Sequence, residues 1–151
     1  MKTVCVTCVG KLKERFFADA VSEYGKRLSR FCKLEICELE DKAGADEIKK
    51  ESDAILSSVR AGEFVVLTDL KGESVSSEEL SLMLDKAYAS GKSTVRFIIG
   101  GSCGVDDRVH RCADKVISFG KATYPHQLMR VILLEQIYRA FTISAGMPYH
   151  K

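Results

Sequence analysis

The chain has 151 residues, 46% of them hydrophobic and 29% charged, with a formal net charge of +2. That is enough for one globular domain with a sizeable core. No apolar run approaches the roughly 20 residues that span a bilayer, and the N-terminus lacks a long apolar stretch with a cleavage site. Membrane insertion and secretion are excluded on this reading, and the cytoplasm is the expected compartment.

Apolar spacing predicts alternating strands and helices. Residues 3–9 read as a buried first strand ended by Gly10. An amphipathic helix over 14–28 follows, with Phe16, Phe17, Ala20, Val21, Tyr24 and Leu28 at helical spacing. Residues 34–39 suit a second strand, and 46–59 a charged helix with Ile48, Ala54, Ile55 and Val59 inward. Residues 64–67 form a short apolar strand. Ser76 and Glu79 have the spacing of a capping box, opening a helix through Leu80, Leu82, Leu84 and Ala87 that stops near Gly91. Residues 95–99 are the next strand, 106–113 a short helix, and 115–118 a last strand. The longest helix follows Pro125 to about Phe141, leaving a tail over 142–151. No repeat or long linker divides this pattern. It predicts one α/β domain over 1–151, with a mostly parallel sheet and helices on both faces.

Cys5 and Cys8 have C-x-x-C spacing, and Cys32 and Cys37 offer a second pair. Residues three apart on a strand point to opposite faces, which argues against a shared metal. A redox C-x-x-C usually opens a helix, and none opens here. The thiols read as reduced and partly buried, and no metal is expected.

Charge is unevenly placed. Residues 111–151 carry six lysines and arginines against two acids, a net of +4, while residues 1–110 carry a net of −2. His126 and His150 lie in this basic third and His110 just before it. Clustered cations suit a polyanionic partner, although a solvated helix face gives the same count.

Ligands of open α/β sheets bind at the carboxyl ends of strands, and two loops there have unusual content. Gly100-Gly101-x-x-Gly104 permits close backbone approach, but it is neither a Rossmann fingerprint nor a Walker A loop. A tight turn would look the same. The second loop is Gly120, Lys121, Ala122, Thr123, Tyr124 and Pro125. Pro125 suits the first turn of the last helix, with Thr123 or Tyr124 near its cap. That puts His126 at the loop's mouth, either as a proton acceptor or as a structural histidine. Arg130, one turn onward, suits a phosphate, or a pairing with Glu135 or another acid on a neighbouring element.

The segments Phe97-Ile98-Ile99-Gly100-Gly101-Ser102-Cys103-Gly104, Thr123-Tyr124-Pro125-His126-Gln127-Leu128-Met129-Arg130 with its continuation to Phe141, and Pro148-Tyr149-His150-Lys151 together resemble the large-subunit ribosomal RNA methyltransferase H family. The resemblance spans essentially the whole chain. It implies a SPOUT-class methyltransferase with a C-terminal trefoil knot, acting as a homodimer. It also implies S-adenosylmethionine as cofactor and N3 of a pseudouridine in 23S rRNA of assembled ribosomes as target. The cofactor loops it implies are Gly101, the run from Gly120 through Pro125, and a third segment with Thr68 and Leu70, where Thr68 stands in place of a frequent leucine. The last helix is apolar around much of its circumference, with Leu128, Val131, Ile132, Leu133, Leu134, Ile137 and Phe141, more than one core-facing stripe requires, and this agrees with a dimer.

Removing the N3 proton of a uracil ring while aligning a methyl group calls for positioning and a base. His126 and His150 are the candidate bases; Arg130, Arg139 and Tyr149 are candidates for placing the base or its phosphates. A competing reading keeps the same loops and charge in a non-catalytic nucleotide-responsive RNA-binding module.

Overall fold

A computed structural model describes all residues, 1–151. The elements are β1 (Thr3–Val9), α1 (Arg15–Leu28), β2 (Lys33–Leu39), α2 (Glu47–Ser58), β3 (Phe64–Ser74), α3 (Ser77–Ala89), β4 (Thr94–Ile99), α4 (Asp107–Cys112), β5 (Lys115–Ser118) and α5 (His126–Ser144). The strands form one sheet in the order β2-β1-β4-β3-β5, and every pairing is parallel. The predicted class is therefore what is seen.

Alternation along the strands divides the core between two faces. Val4, Val6 and Cys8 of β1 pack with Leu28 of α1, Leu80 and Leu84 of α3, and Leu133, Leu134 and Ile137 of α5. On the other face Val9, Leu67 and Ile98 pack with Ile55 of α2 and Val109 of α4. Cys5 and Cys8 accordingly diverge: Cys5 Sγ meets Glu35, while Cys8 Sγ meets the Cys37 carbonyl. Burial pushes the Cys5 thiol up to about 11 and the Cys8 thiol up to about 12, so neither offers a thiolate near neutral pH.

Several inward positions differ from those expected. Phe16 is 65% exposed, because adjacent Phe16 and Phe17 cannot share one helix face. Leu82 likewise points out of α3 beside the buried Leu80 and Leu84. In α2, Ile48 is exposed, and the buried residues are Glu51, Ser52 and Ile55. Ile55 packs on the sheet, while Glu51 and Ser52, a turn earlier, accept from the loop N–H groups of Lys42 and Asp106. The capping box of α3 is formed as expected, with Ser76 Oγ accepting from Glu79 N–H and the Glu79 carboxylate accepting from Ser76 N–H.

β3 runs well beyond residue 67. After Thr68 the chain bulges and then pairs with β5 again at Glu73 and Ser74, so Thr68 and Glu73 both oppose Ile117. Gly72 closes this excursion; a Cβ there would lie 2.7 Å from the Ile117 backbone. The extension is mostly solvent-facing, so its apolar pattern ends where its pairing does not.

α5 begins at His126, with Pro125 outside it in the cap position and extended (ψ 141°). The Pro125 carbonyl accepts from Met129 N–H at 2.8 Å, and no side chain caps this end, so neither Thr123 nor Tyr124 serves as the cap. The helix continues to Ser144 because Thr142 is buried and its carbonyl accepts from Met147 N–H. No helix is long and apolar enough to cross a membrane.

Candidate active site

Three chain segments leave the carboxyl ends of β3, β4 and β5 side by side and enclose a cleft of about 670 Å³. Its walls are residues 67–70 from β3, residues 99–102, 104 and 105 after β4, and residues 117–120 and 122–126 between β5 and α5, with Met129 behind them. Leu67, Ile99, Ile117, Phe119 and Met129 make it mostly apolar, with Asp69, Ser102, Thr123 and His126 among its polar residues. That volume suits a ligand of nucleoside size.

Local hydrogen bonds fix the loop shapes. After β4, Gly104 N–H donates to the Gly101 carbonyl at 3.0 Å, and Gly104 has φ +83°. After β5, Ser118 Oγ donates to the Gly120 carbonyl at 2.8 Å and accepts from Gly120 N–H. Gly120, at φ +104°, holds a left-handed turn that a side chain would strain. Thr68 Oγ1 donates to the Ile98 carbonyl at 3.0 Å, so its hydroxyl joins β3 to β4 instead of facing a ligand. Asp69 enters the cleft with one carboxylate oxygen accepting from Lys71 N–H and the other 2.9 Å from His110 Nε2.

All the residues named for the cofactor loops line this cleft except Lys121, which is exposed beside it. His126 lines it as well. Arg130 does not. It is 1% exposed and sits beneath the floor, where Nη1 donates to Glu38 at 2.5 Å and Nη2 to the Gly10 carbonyl at 3.0 Å. Of the partners open to it in the sequence, an acid on a neighbouring element, Glu38, is the one present; Glu135 is taken by Arg139, and a phosphate cannot reach the buried guanidinium. Arg130 instead ties α5 to β2 and to the loop after β1. Gln127 reinforces this by accepting from Lys13 N–H.

The remaining candidates gather at the far end of α5. Arg139 lies 13 residues beyond His126, about 20 Å along a helix. Here Glu135 accepts from Tyr24 Oη, Tyr149 Oη and Arg139 Nε. Tyr149 stacks edge-on against Tyr138, with ring centroids 4.8 Å apart. His150 bridges Arg139 and Glu78. The hydrogen bond that Tyr149 donates to Glu135, with some burial, raises the Tyr149 phenol, and Glu135 likewise raises the Arg139 guanidinium. One chain therefore does not bring His126 together with Arg139, Tyr149 and His150.

Sequence reasoning missed Glu51, Asp69 with His110, and the acceptor role of Glu135. Glu51 lies in a run of charge that looks solvent-facing, His110 is 41 positions from Asp69, and Tyr24 is 111 positions from Glu135, leaving only Arg139, four residues along α5, within local spacing. No group of three or more histidines, cysteines or acids is placed to hold a metal ion.

A family model described as "Predicted SPOUT methyltransferase" matches residues 1–150. Among curated relatives, a protein from Clostridium acetobutylicum is 50% identical over 98% of this chain and 99% of its own length. Proteins from Lactobacillus helveticus and Lactobacillus acidophilus are 48% and 47% identical, each over 97% of this chain and 98% of its own length. All three bear the name "Ribosomal RNA large subunit methyltransferase H".

Proposed function

The chain belongs to the SPOUT methyltransferase family, and from that premise we propose that it transfers a methyl group from S-adenosylmethionine to N3 of a pseudouridine in 23S rRNA of assembled ribosomes, in the cytoplasm. The observation that carries this reading is the cleft of loops at the ends of β3, β4 and β5. Its apolar floor and polar lining residues fit a nucleoside with a short amino-acid chain. Thr68, Leu70, Gly101, Gly120, Ala122, Thr123, Tyr124 and Pro125 hold the cofactor in this reading, and Lys121 guards its rim.

Bound there, S-adenosylmethionine would supply an electrophilic methyl group for N3, and the chain's own part would be to align the acceptor and take up the N3 proton. His126, at the cleft mouth, and His150, in the tail, are the two groups able to take that proton. Arg139, Tyr149 and Lys151 place the nucleotide and its phosphates. Arg130 acts through position alone, holding the start of α5 and so His126.

The separation of about 20 Å between His126 and Arg139 favours a homodimer. Leu128, Val131 and Ile132 leave part of α5 half-exposed for a second copy. In a two-fold pairing the tail of one protomer meets the cleft of its partner. The whole chain then acts as one domain, with the C-terminal knot of its class.

Incubation with S-adenosylmethionine and ribosomes, followed by mass mapping of 23S rRNA nucleosides, tests the reading. One N3-methylated pseudouridine is expected. Cofactor binding without transfer would favour a non-catalytic module, and equal activity on a naked hairpin would contradict the need for ribosomes.

A further inference from the structure

Glu51 is the one carboxylate in the molecule that is both deeply buried and incompletely partnered. It is 3% exposed. Oε2 accepts from Lys42 N–H at 3.0 Å, and Oε1 has no hydrogen-bond partner. That free oxygen lies against the inner side of Gly101, where a Cβ would come within 2.5 Å of it. The next residue, Ser52, accepts from Asp106 N–H at 3.0 Å, so α2 braces the far end of the Gly101 loop.

The surrounding cations are committed elsewhere. Lys42 Nζ pairs with Glu40, and Arg108 with both Asp53 and Asp106. Lys49 pairs with Asp53. No side-chain cation offsets Glu51. An unpaired carboxylate removed from water costs folding free energy, and packing alone gives no reason for it. Immediately across Gly101 is the cleft, whose side chains include no cation that reaches this wall.

We infer that Glu51 is a specificity-determining residue of the cleft: its charge, one backbone layer behind Gly101, favours a positively charged occupant over a neutral one of the same shape. The inference rests on the cleft being the S-adenosylmethionine site. There it would select the sulfonium cofactor over its thioether product, S-adenosylhomocysteine, and so aid release after transfer. Glycine is required at 101 because the carboxylate occupies the space of its side chain, not only because a ligand approaches.

Calorimetric titration of both ligands into the wild-type chain and Glu51→Gln tests this, with thermal unfolding of each protein alongside. Glutamine keeps the shape and the bond from Lys42 N–H while removing the charge. S-adenosylmethionine affinity should fall roughly tenfold, the scale of one charge lost from the wall of a partly dry site. S-adenosylhomocysteine affinity should change less than about twofold. The melting midpoint should stay level or rise, since a buried unpaired charge has gone. Equal loss for both ligands, an unchanged ratio, or a variant that melts lower or does not fold would make Glu51 a structural residue and overturn the inference. A wild-type chain that bound neither ligand would instead sink the cofactor reading beneath it.

Discussion

At the amino end of α5 the cleft is mostly apolar, and three of its polar side chains, Thr68, Asp69 and Ser118, are engaged in hydrogen bonds within the chain. At the carboxyl end side chains do nearly everything: Tyr24, Glu135, Arg139, Tyr149 and His150 form one hydrogen-bonded set that His150 carries on to Glu78. The first arrangement presents a shape to a ligand at little ordering cost. The second presents charge and aromatic surface, held rigid by its own acceptors. A methyl donor needs the former, while a large RNA, met transiently, suits the latter. On the proposed function, cofactor binding and methyl transfer divide between the two ends of α5, and each end should be open to damage alone.

The largest effect expected is from deleting residues 149–151. Methyl transfer should drop roughly 100-fold or more, the scale of losing nucleotide placement. Calorimetric affinity for S-adenosylmethionine should stay within about threefold, since none of the three residues lines the cleft of its own chain. Near-normal transfer by the truncated chain would remove the tail's role.

Damage to the other end should read in the opposite way. In Gly101→Val the branched side chain would have to displace the Glu51 carboxylate, and overpacking of this kind costs about 1–3 kcal/mol. Cofactor affinity should weaken roughly tenfold or more, with the tail network untouched. Unchanged affinity by calorimetry would take the loop out of the site.

These two ends were not equally legible in the sequence. The strand-end loops stood out because glycines and a proline interrupt apolar runs, and structure brings them together because β3, β4 and β5 are neighbours. What the pattern hid was distant pairing. Arg130 looks like an exposed cation one turn from His126 until Glu38, 92 positions away, closes on it. Glu51 stands among lysines and acids, and only the path of the Gly101 loop over α2 buries it. The strand after Thr68 was invisible for a related reason: its pairing with β5 is main-chain work by exposed residues.

A smaller effect sharpens the tail side of the comparison. Glu135→Ala leaves Tyr24, Tyr149 and Arg139 without their shared acceptor, and should cost about 1–3 kcal/mol in denaturant unfolding. Cofactor affinity should not move. A loss of affinity as large as that of Gly101→Val would show that the two ends are coupled within one chain.

The smallest effect is a pH dependence. Burial, then the charge and hydrogen bond of Glu135, push the Tyr24 phenol up to about 12. A raised folded value means that this contribution is complete below the ordinary tyrosine value of about 10, and is lost as pH rises from there through about 12. Stability measured across that window should decline. The decline should be shallower in Glu135→Gln, which removes one cause of the shift. An identical slope in both proteins would place the burden on burial alone.

Amide hydrogen exchange of the complete chain, with and without S-adenosylmethionine, tests the central claim most directly. The account requires slowed exchange in residues 68–70, 100–104 and 119–124, the three segments that wall the cleft. Unaltered exchange in those loops, with protection confined to residues 139–151, would put the cofactor at the wrong end of α5 and contradict it.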